Sequence, residues 1–289
     1  MTNGFNKSCQ GYSHAREGLV CQDASGYHCG EGYAVVVAAD GHGGEKYFRS
    51  DIGSDIAVKE AIKAIKKLFE NKDDYKQKMN ENPMPMLRHL AGYISAKWIE
   101  QIQLHYINNK LRESEQEIFQ KYFITKADTE PDKDTFYSNN SCNNEKTIMK
   151  IYGTTLILGV ITGEHAFVIN NGDGAVVFSD ANGDCLIPQE TVNEDLVVHG
   201  PVTSLSDSNV LESFRYYYTE NIPSALILST DGVSESFTND GFLITIKELL
   251  RIFQKSKEDG MAWLDEWLPK ISQERSGDDM TLAGIYAIR

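Results

Sequence analysis

The chain has 289 residues, 41% hydrophobic and 24% charged, enough to bury a substantial core in one large domain or two small ones. Its formal charge of −14 argues against a nucleic-acid or anionic-membrane surface, because neutralising phosphates needs clustered Lys and Arg. The 5 cysteines, Cys9, Cys21, Cys29, Cys142 and Cys185, fall in no CxxC spacing, and the polar opening Met1 to Gln10 lacks the apolar stretch of a signal peptide. They read as reduced thiols of a cytoplasmic protein, not as a disulfide frame or a zinc site.

Tyr33 to Ala39 is small, β-branched and uninterrupted, the pattern of a strand covered on both faces. A helix is predicted after it, with Val58, Ala61, Ile62, Ile65, Leu68 and Phe69 on one side and Lys59, Lys63, Lys66 and Lys67 mostly on the other. Asn71 to Pro85 is polar, holds two prolines and is expected to break it. A second amphipathic helix fits Leu87, Leu90, Ala91, Ile94, Trp98 and Ile102. From Asn108 to Lys150 the apolar content falls; this reads as a polar insertion, with Lys126 to Lys146 exposed.

A β-meander is expected next, over Thr154 to Ile161, His165 to Asn170 and Ala175 to Ser179. Its turns are Thr162-Gly163-Glu164 and Asp180-Ala181-Asn182-Gly183, the second with the Asn-Gly of a type I′ turn. Phe214 to Thr219, Ser224 to Ser229 and Thr281 to Ile288 read as further strands, with helices around Ile244 to Phe253 and Met261 to Ile271. Helices bunched in two places among antiparallel strands favour a layered α+β sandwich, and no linker divides residues 1–289, so a single domain is expected. Trp98, Trp263 and Trp267 read as packing, and Tyr216-Tyr217-Tyr218 as a strand alternating between faces.

Four acidic motifs carry the chemistry: Asp40-Gly41-His42-Gly43-Gly44, Asn171-Gly172-Asp173-Gly174, Ser229-Thr230-Asp231-Gly232 and Gly277-Asp278-Asp279-Met280-Thr281. Alone, each is ordinary turn chemistry. Three of them follow short apolar runs, however, and carboxylates at the ends of buried strands are costly unless their charge is compensated. Hard divalent cations, which take oxygen ligands, are the obvious compensation. Two such ions sharing a bridging carboxylate can activate water for attack on phosphorus.

In order and spacing these motifs, together with Gly11 to Ala24 and Gly153-Thr154-Thr155, resemble the metal-dependent, type-2C Ser/Thr protein phosphatases. The opening Ser13 to Ala24 is similar to the bacterial branch of that family. The resemblance implies a four-layer αββα sandwich, two central and mostly antiparallel β-sheets flanked by helices. It implies hydrolysis of phosphoserine and phosphothreonine in proteins with two Mg²⁺ or Mn²⁺ ions and room for a third. A phosphoprotein substrate, a cognate Ser/Thr kinase as partner and a monomeric state go with it.

Placed residue by residue, the resemblance makes Asp40 the carboxylate bridging both ions and the Gly41 carbonyl a ligand of the second. Asp231 and Asp278 resemble further ligands of the first ion, and Asp173 a ligand of a third; Glu235, four residues beyond Asp231, is expected to join Asp173 in holding that ion weakly. Gln22 and Asp23 align with an acidic pair that orients water, Gln22 standing where a glutamate is common; its amide still accepts but offers less charge. His42 aligns as the general acid for the leaving alkoxide. The arginine that grips substrate phosphate in much of the family is replaced by Gly18. Arg16 and His14 are expected to take its place, because in an extended strand alternate residues face one way. A second reading keeps the fold as a pseudophosphatase or partner-specific regulatory module; the loss of a core aspartate would favour it, and none is lost. His28, His89, His105, His165 and His199 lie outside the acidic motifs and read as surface or core residues.

Overall fold

Two five-stranded antiparallel sheets organise the described residues, which in this computed structural model are 2–123, 140–188 and 203–287. One sheet runs in the order β1 (Thr2–Cys9), β10 (Met280–Ala287), β9 (Ala225–Ser229), β6 (Val176–Ser179) and β7 (Cys185–Leu186). The other runs β2 (Ala24–Gly30), β3 (Tyr33–Ala39), β4 (Ile157–Thr162), β5 (Ala166–Asn170) and β8 (Arg215–Thr219).

β3 shows how the layers form. Val35 and Val37 join the core beneath α2 (Ser50–Leu68) and α4 (Pro83–Asn108), whereas Ala34, Val36 and Ala38 pack with Leu226, Leu228 and Ile285 of the other sheet. On the far side α9 (Asn239–Lys255) and α10 (Lys257–Glu274) bury Leu249, Phe253, Leu264 and Leu268 against β1, β9 and β10. The expected four-layer αββα sandwich is the fold observed. Tyr216 and Tyr218 face one cluster and Tyr217 the other, as the alternation predicts. Trp98 is fully buried with its indole N–H on the Gly53 carbonyl at 2.9 Å, and Trp263 stacks on Trp267 with ring centroids 4.6 Å apart.

Several elements differ from the sequence reading. The polar N-terminus is strand β1, an edge strand whose Phe5 enters the core and stacks on Phe253 at 4.0 Å. Asn71 to Pro85 does not break into loop: α3 (Lys72–Glu81) buries Tyr75 and Met79. Asn82 then caps α4, its side chain accepting from the Met84 amide at 3.2 Å, and Pro83 sits where a missing N–H costs nothing. The meander is split, because β6 leaves β5 for the other sheet across Asn171 to Ala175. The turn at Asp180 is not type I′, which needs two residues with positive φ; only Gly183 has one, at 84°. The Asp180 carboxylate shapes that turn by accepting from the Asn182 and Asp184 amides at 2.8 and 2.9 Å.

The polar insertion contains α5 (Glu113–Phe123) and α6 (Asn140–Ile151). α5 is docked through a buried ion pair, Arg49 to Glu115 at 2.9 Å. Most of the segment expected to be exposed, and His199, lie outside the described residues. Among the described residues no helix is long and apolar enough to cross a membrane.

Candidate active site

Antiparallel pairing gathers the motifs at one end of the sandwich. Asp40 leaves the end of β3, opposite the start of β2, where Gln22 and Asp23 sit. Asp231 leaves the end of β9 and opens the short α8 (Asp231–Ser234). Asp278 and Asp279 immediately precede β10, and Asp173 lies in the crossing from β5 to β6. Residues far apart in the chain thus meet because the two sheets stack face to face with these strand ends on the same side.

Backbone and hydroxyl groups pin each carboxylate. The Asp40 amide donates to Thr155 Oγ1 at 3.0 Å, and its carbonyl accepts from the Thr154 hydroxyl and the Thr155 amide, both at 2.8 Å. Gly41 passes so close to the backbone that a side chain there would strike the Gln22 and Ser50 carbonyl oxygens. Gly232 is equally confined by the Asp279 carbonyl. Thr230 bridges two strands, its hydroxyl donating to Asp23 Oδ2 at 2.8 Å and accepting from the Thr281 amide at 3.1 Å.

Among the described residues, carboxylate oxygens of Asp40, Asp173 and Asp231 lie within 4.8 Å of one another. Asp278 stands outside that trio, about half exposed, with Oδ1 3.6 Å from His14 Nε2. Burial raises the pKa of Asp40 well above the ordinary value, and Asp23, Asp231 and Asp278 raise it further. Asp23 is raised in the same way by burial and by Asp279 and Asp231, although its bonds from Thr230 and Thr281 oppose the shift. Burial and neighbouring carboxylates also raise Asp173 and Glu235. Gln22 is buried, its Nε2 donating to Ser50 Oγ at 2.6 Å, and its Oε1 has no partner among the described residues. The site is therefore rich in oxygen acceptors and poor in donors, and the residues present fit one or more hard divalent cations.

His42 extends from the same loop. Its amide donates to the Gly153 carbonyl at 3.0 Å, and its ring lies 5.1 Å from that of Tyr47. Burial lowers its pKa and Lys46 adds to the effect, whereas Asp207 and Asp231 oppose it.

Arg16 and His14 do not lie on one strand face. Tyr12 to Glu17 is not a strand but helix α1, and residues two apart on a helix point to nearly opposite sides. Arg16 is exposed over the Tyr12 ring. His14 alone turns inward, with Nδ1 3.0 Å from Asp279 Oδ1, in ion-pair range but off the line of a hydrogen bond.

Asp279 is the residue that the sequence reading passed over. It is 4% exposed, and its two oxygens accept from the Gly11 and Gln22 amides, each at 2.6 Å. It ties α1 and the Gln22–Asp23 pair to the start of β10. Its signal in the sequence is the doubled aspartate before a core strand.

Raised carboxyl groups make a pH prediction for the metal-free protein. In the fold Asp23 and Asp40 hold protons at pH values where the unfolded chain, near 3.8, has lost them, so protons favour the folded state. Stability should fall as pH rises through their raised values. Glu115 works oppositely: its pKa is held down to about 2 by Arg49 and Arg112 against its burial, so its contribution is complete above 4.5 and lost only toward acid. Over roughly pH 5 to 8 this downward slope from the acidic cluster meets an upward one from His28, His42, His105 and His165, whose pKa values burial lowers below 6.5. The cluster's share is read from metal: Mn²⁺ should raise the melting temperature over its EDTA value more at about pH 8 than at about pH 5, where protons still hold the carboxylates. An equal gain at both would contradict the crowding of like charges.

A four-layer sandwich with carboxylates gathered at its sheet ends is the arrangement that the sequence resemblance implies. The family model described as protein phosphatase 2C matches residues 10–269, and the chain belongs to that family. Among solved structures, a bacterial serine phosphatase is similar at 18% identity over 100% of this chain and 99% of that one, with a TM-score of 0.58. The catalytic domain of the serine/threonine protein phosphatase PstP, in complex with 2 manganese ions, is similar at 15% identity over 100% and 99%, with a TM-score of 0.54. Stp1, a serine/threonine phosphatase of Staphylococcus aureus, is similar at 15% identity over 99% and 95%, with a TM-score of 0.55. At these identities the likeness shows the fold. Comparison with curated protein sequences finds no match.

Proposed function

We propose that the chain is a Mg²⁺- or Mn²⁺-dependent phosphatase acting on phosphoserine and phosphothreonine in proteins. One observation carries the reading: carboxylate oxygens of Asp40, Asp173 and Asp231 converge within 4.8 Å, and burial and like charge raise the pKa of Asp40 and Asp173. The two manganese ions of PstP, on the same fold, support two ions here.

Asp40 would hold both ions, with the Gly41 carbonyl on one of them and Asp231 and Asp278 on the other. Asp173, with Glu235 nearby, would serve a third. Bound there, the ions would supply an activated water and neutralise charge on the phosphoryl oxygens. The chain's own residues do the rest. Gln22 Oε1 and Asp23 accept hydrogen bonds from water and so fix its direction. Asp279 keeps Gln22 in place, and the Thr154–Thr155 pair keeps Asp40 in place. His42 hands a proton to the departing serine or threonine oxygen. His14, on the inward face of α1, is left to contact the substrate phosphate in the absence of an arginine at Gly18; Arg16 stands outside.

The substrate is then a phosphoprotein, and a cognate Ser/Thr kinase is a natural partner. The chain would act as a cytoplasmic monomer formed of a single domain over residues 1–289. A p-nitrophenyl phosphate assay decides between enzyme and pseudophosphatase. Hydrolysis should require added Mg²⁺ or Mn²⁺ and stop with EDTA, since every proposed ligand is oxygen. Undiminished turnover after exhaustive chelation would exclude the metal mechanism, and no turnover with either ion would leave the binding-module reading.

A further inference from the structure

The loop that carries His42 is held from behind by a helix that plays no part in the chemistry above. Beyond His42 the chain passes Gly43 and Gly44, makes one 3₁₀ turn at Glu45–Tyr47 and reaches Arg49, where α2 begins. Both parts of this stretch are tied to α5. Glu45 Oε2 accepts from Lys121 Nζ at 2.5 Å and from the Tyr122 hydroxyl at 2.7 Å. Further along, the guanidinium of Arg49 is buried and spends every N–H it has. Nε and Nη2 donate to the two oxygens of Glu115 at 3.2 and 2.9 Å. Nη1 donates to the Tyr152 hydroxyl at 2.8 Å and the Asn109 carbonyl at 3.0 Å, and Nη2 also reaches the Lys110 carbonyl at 3.2 Å.

Glu115 is just as fully engaged, taking the Arg112 amide and guanidinium, each at 2.8 Å, besides Arg49. From Arg49 the contacts run to the candidate acid. Tyr152, whose hydroxyl also meets His105 Nδ1 at 2.8 Å, is followed by Gly153, whose carbonyl accepts the His42 amide at 3.0 Å. A side chain at Gly153 would come within 2.8 Å of His42 Cδ2. Glu115, Arg49, Tyr152, Gly153 and His42 thus form one unbroken series. A buried ion pair gains little stability over apolar packing, but it fixes a single register at its two ends. Here those ends are α5 and the loop bearing His42.

We propose that α5 is a positioning strap for this loop, with Glu115 as its anchor and Lys121 and Tyr122 as its second tie. It holds His42 where its proton meets the leaving oxygen. None of the three strap residues touches substrate. The inference rests on the reading of His42 as general acid, and it adds α5 to the machinery of that site.

The full chain carries the test. Glu115→Gln should lower kcat on a phosphoserine peptide by about 10-fold or more, a fraction of a typical general-acid contribution, with KM unchanged. Its rate on p-nitrophenyl phosphate, whose leaving group needs no proton, should change by less than about 2-fold. In hydrogen exchange followed by mass spectrometry, residues 41–49 of the variant should lose protection while β3 and β9 keep theirs. Should that variant fail to fold, Lys121→Ala with Tyr122→Phe leaves the buried pair intact and removes only exposed contacts. It should shift the same substrate ratio by about 3-fold and speed exchange over the same residues. Equal losses on both substrates, or an unchanged ratio with unchanged exchange, would overturn the strap. If the wild-type chain hydrolyses neither substrate, the proposed function fails instead, and the exchange result alone decides whether α5 holds the loop.

Discussion

Asp231→Asn should stop turnover almost completely while leaving the metal-free protein at least as stable as the wild type. The two effects share one cause. Asp231 lies within 4.8 Å of Asp40 and Asp173, and it is among the charges that raise the pKa of both. Without a cation these carboxylates repel one another, so replacing one with a neutral amide of the same shape removes repulsion. With a cation the same change deletes a ligand charge. Metal-ion charge stabilisation is worth several kcal/mol in a transition state, so the rate should fall by about 10³-fold or more. Paired measurements read both effects: kcat with Mn²⁺, and the melting temperature in EDTA and with Mn²⁺. The variant should melt no lower than wild type in EDTA and should gain less from Mn²⁺. A wild-type rate would take Asp231 out of the site, and a sharply lower melting point in EDTA would make it a structural residue.

The layers were legible wherever burial on two faces left a long apolar signal. Tyr33 to Ala39 could only be a central strand, and the helices around Val58, Leu90, Ile246 and Leu268 follow from apolar spacing. Strands that bury little were not visible. β1 contributes chiefly Phe5, and β2 is half-exposed along its length, so neither breaks the polar background of its segment. α3 was hidden for a different reason. Its helical signal is two buried residues, Tyr75 and Met79, and the prolines after it read as a break although Pro83 begins the next helix. The split of the meander could not be read at all, because pairing of β6 with β9 joins residues some fifty positions apart and depends on a sheet change at Gly172 to Gly174.

The acidic end was legible because its residues are confined to short motifs that glycine makes conspicuous. Asp40, Asp173 and Asp231 converge as their motifs suggested. The region around Gly18 was misjudged because its alternation fitted a strand, whereas Tyr12 to Glu17 is a single helical stretch that Gly18 ends in a left-handed conformation, at φ 72°. On that helix Arg16 and His14 do not share a face. The supporting residues escaped notice altogether. Arg49 and Glu115 act through hydrogen bonds to partners remote in sequence, and nothing in their own neighbourhoods marks them out, whereas Asp279 is marked only by the doubled aspartate.

His42→Ala should separate substrates by their leaving groups. The imidazole stands two residues from Asp40, at a ring distance of 5.1 Å from Tyr47, and is anchored by its amide to Gly153. Burial and Lys46 lower its pKa, while Asp207 and Asp231 hold the fall back, so its proton is more readily surrendered than that of a free imidazole. A serine or threonine alkoxide is a poor leaving group and needs a proton as the bond to phosphorus breaks. Nitrophenolate leaves as the anion. Loss of a general acid typically costs about 10²–10⁴-fold, and that cost should fall on phosphoserine and phosphothreonine peptides, with little change on p-nitrophenyl phosphate. Across a series of aryl phosphates the wild-type rate should depend weakly on leaving-group basicity and the variant's rate steeply. Equal losses on peptide and nitrophenyl substrates, with no change in that dependence, would make His42 a residue that positions water and not the one that gives up the proton.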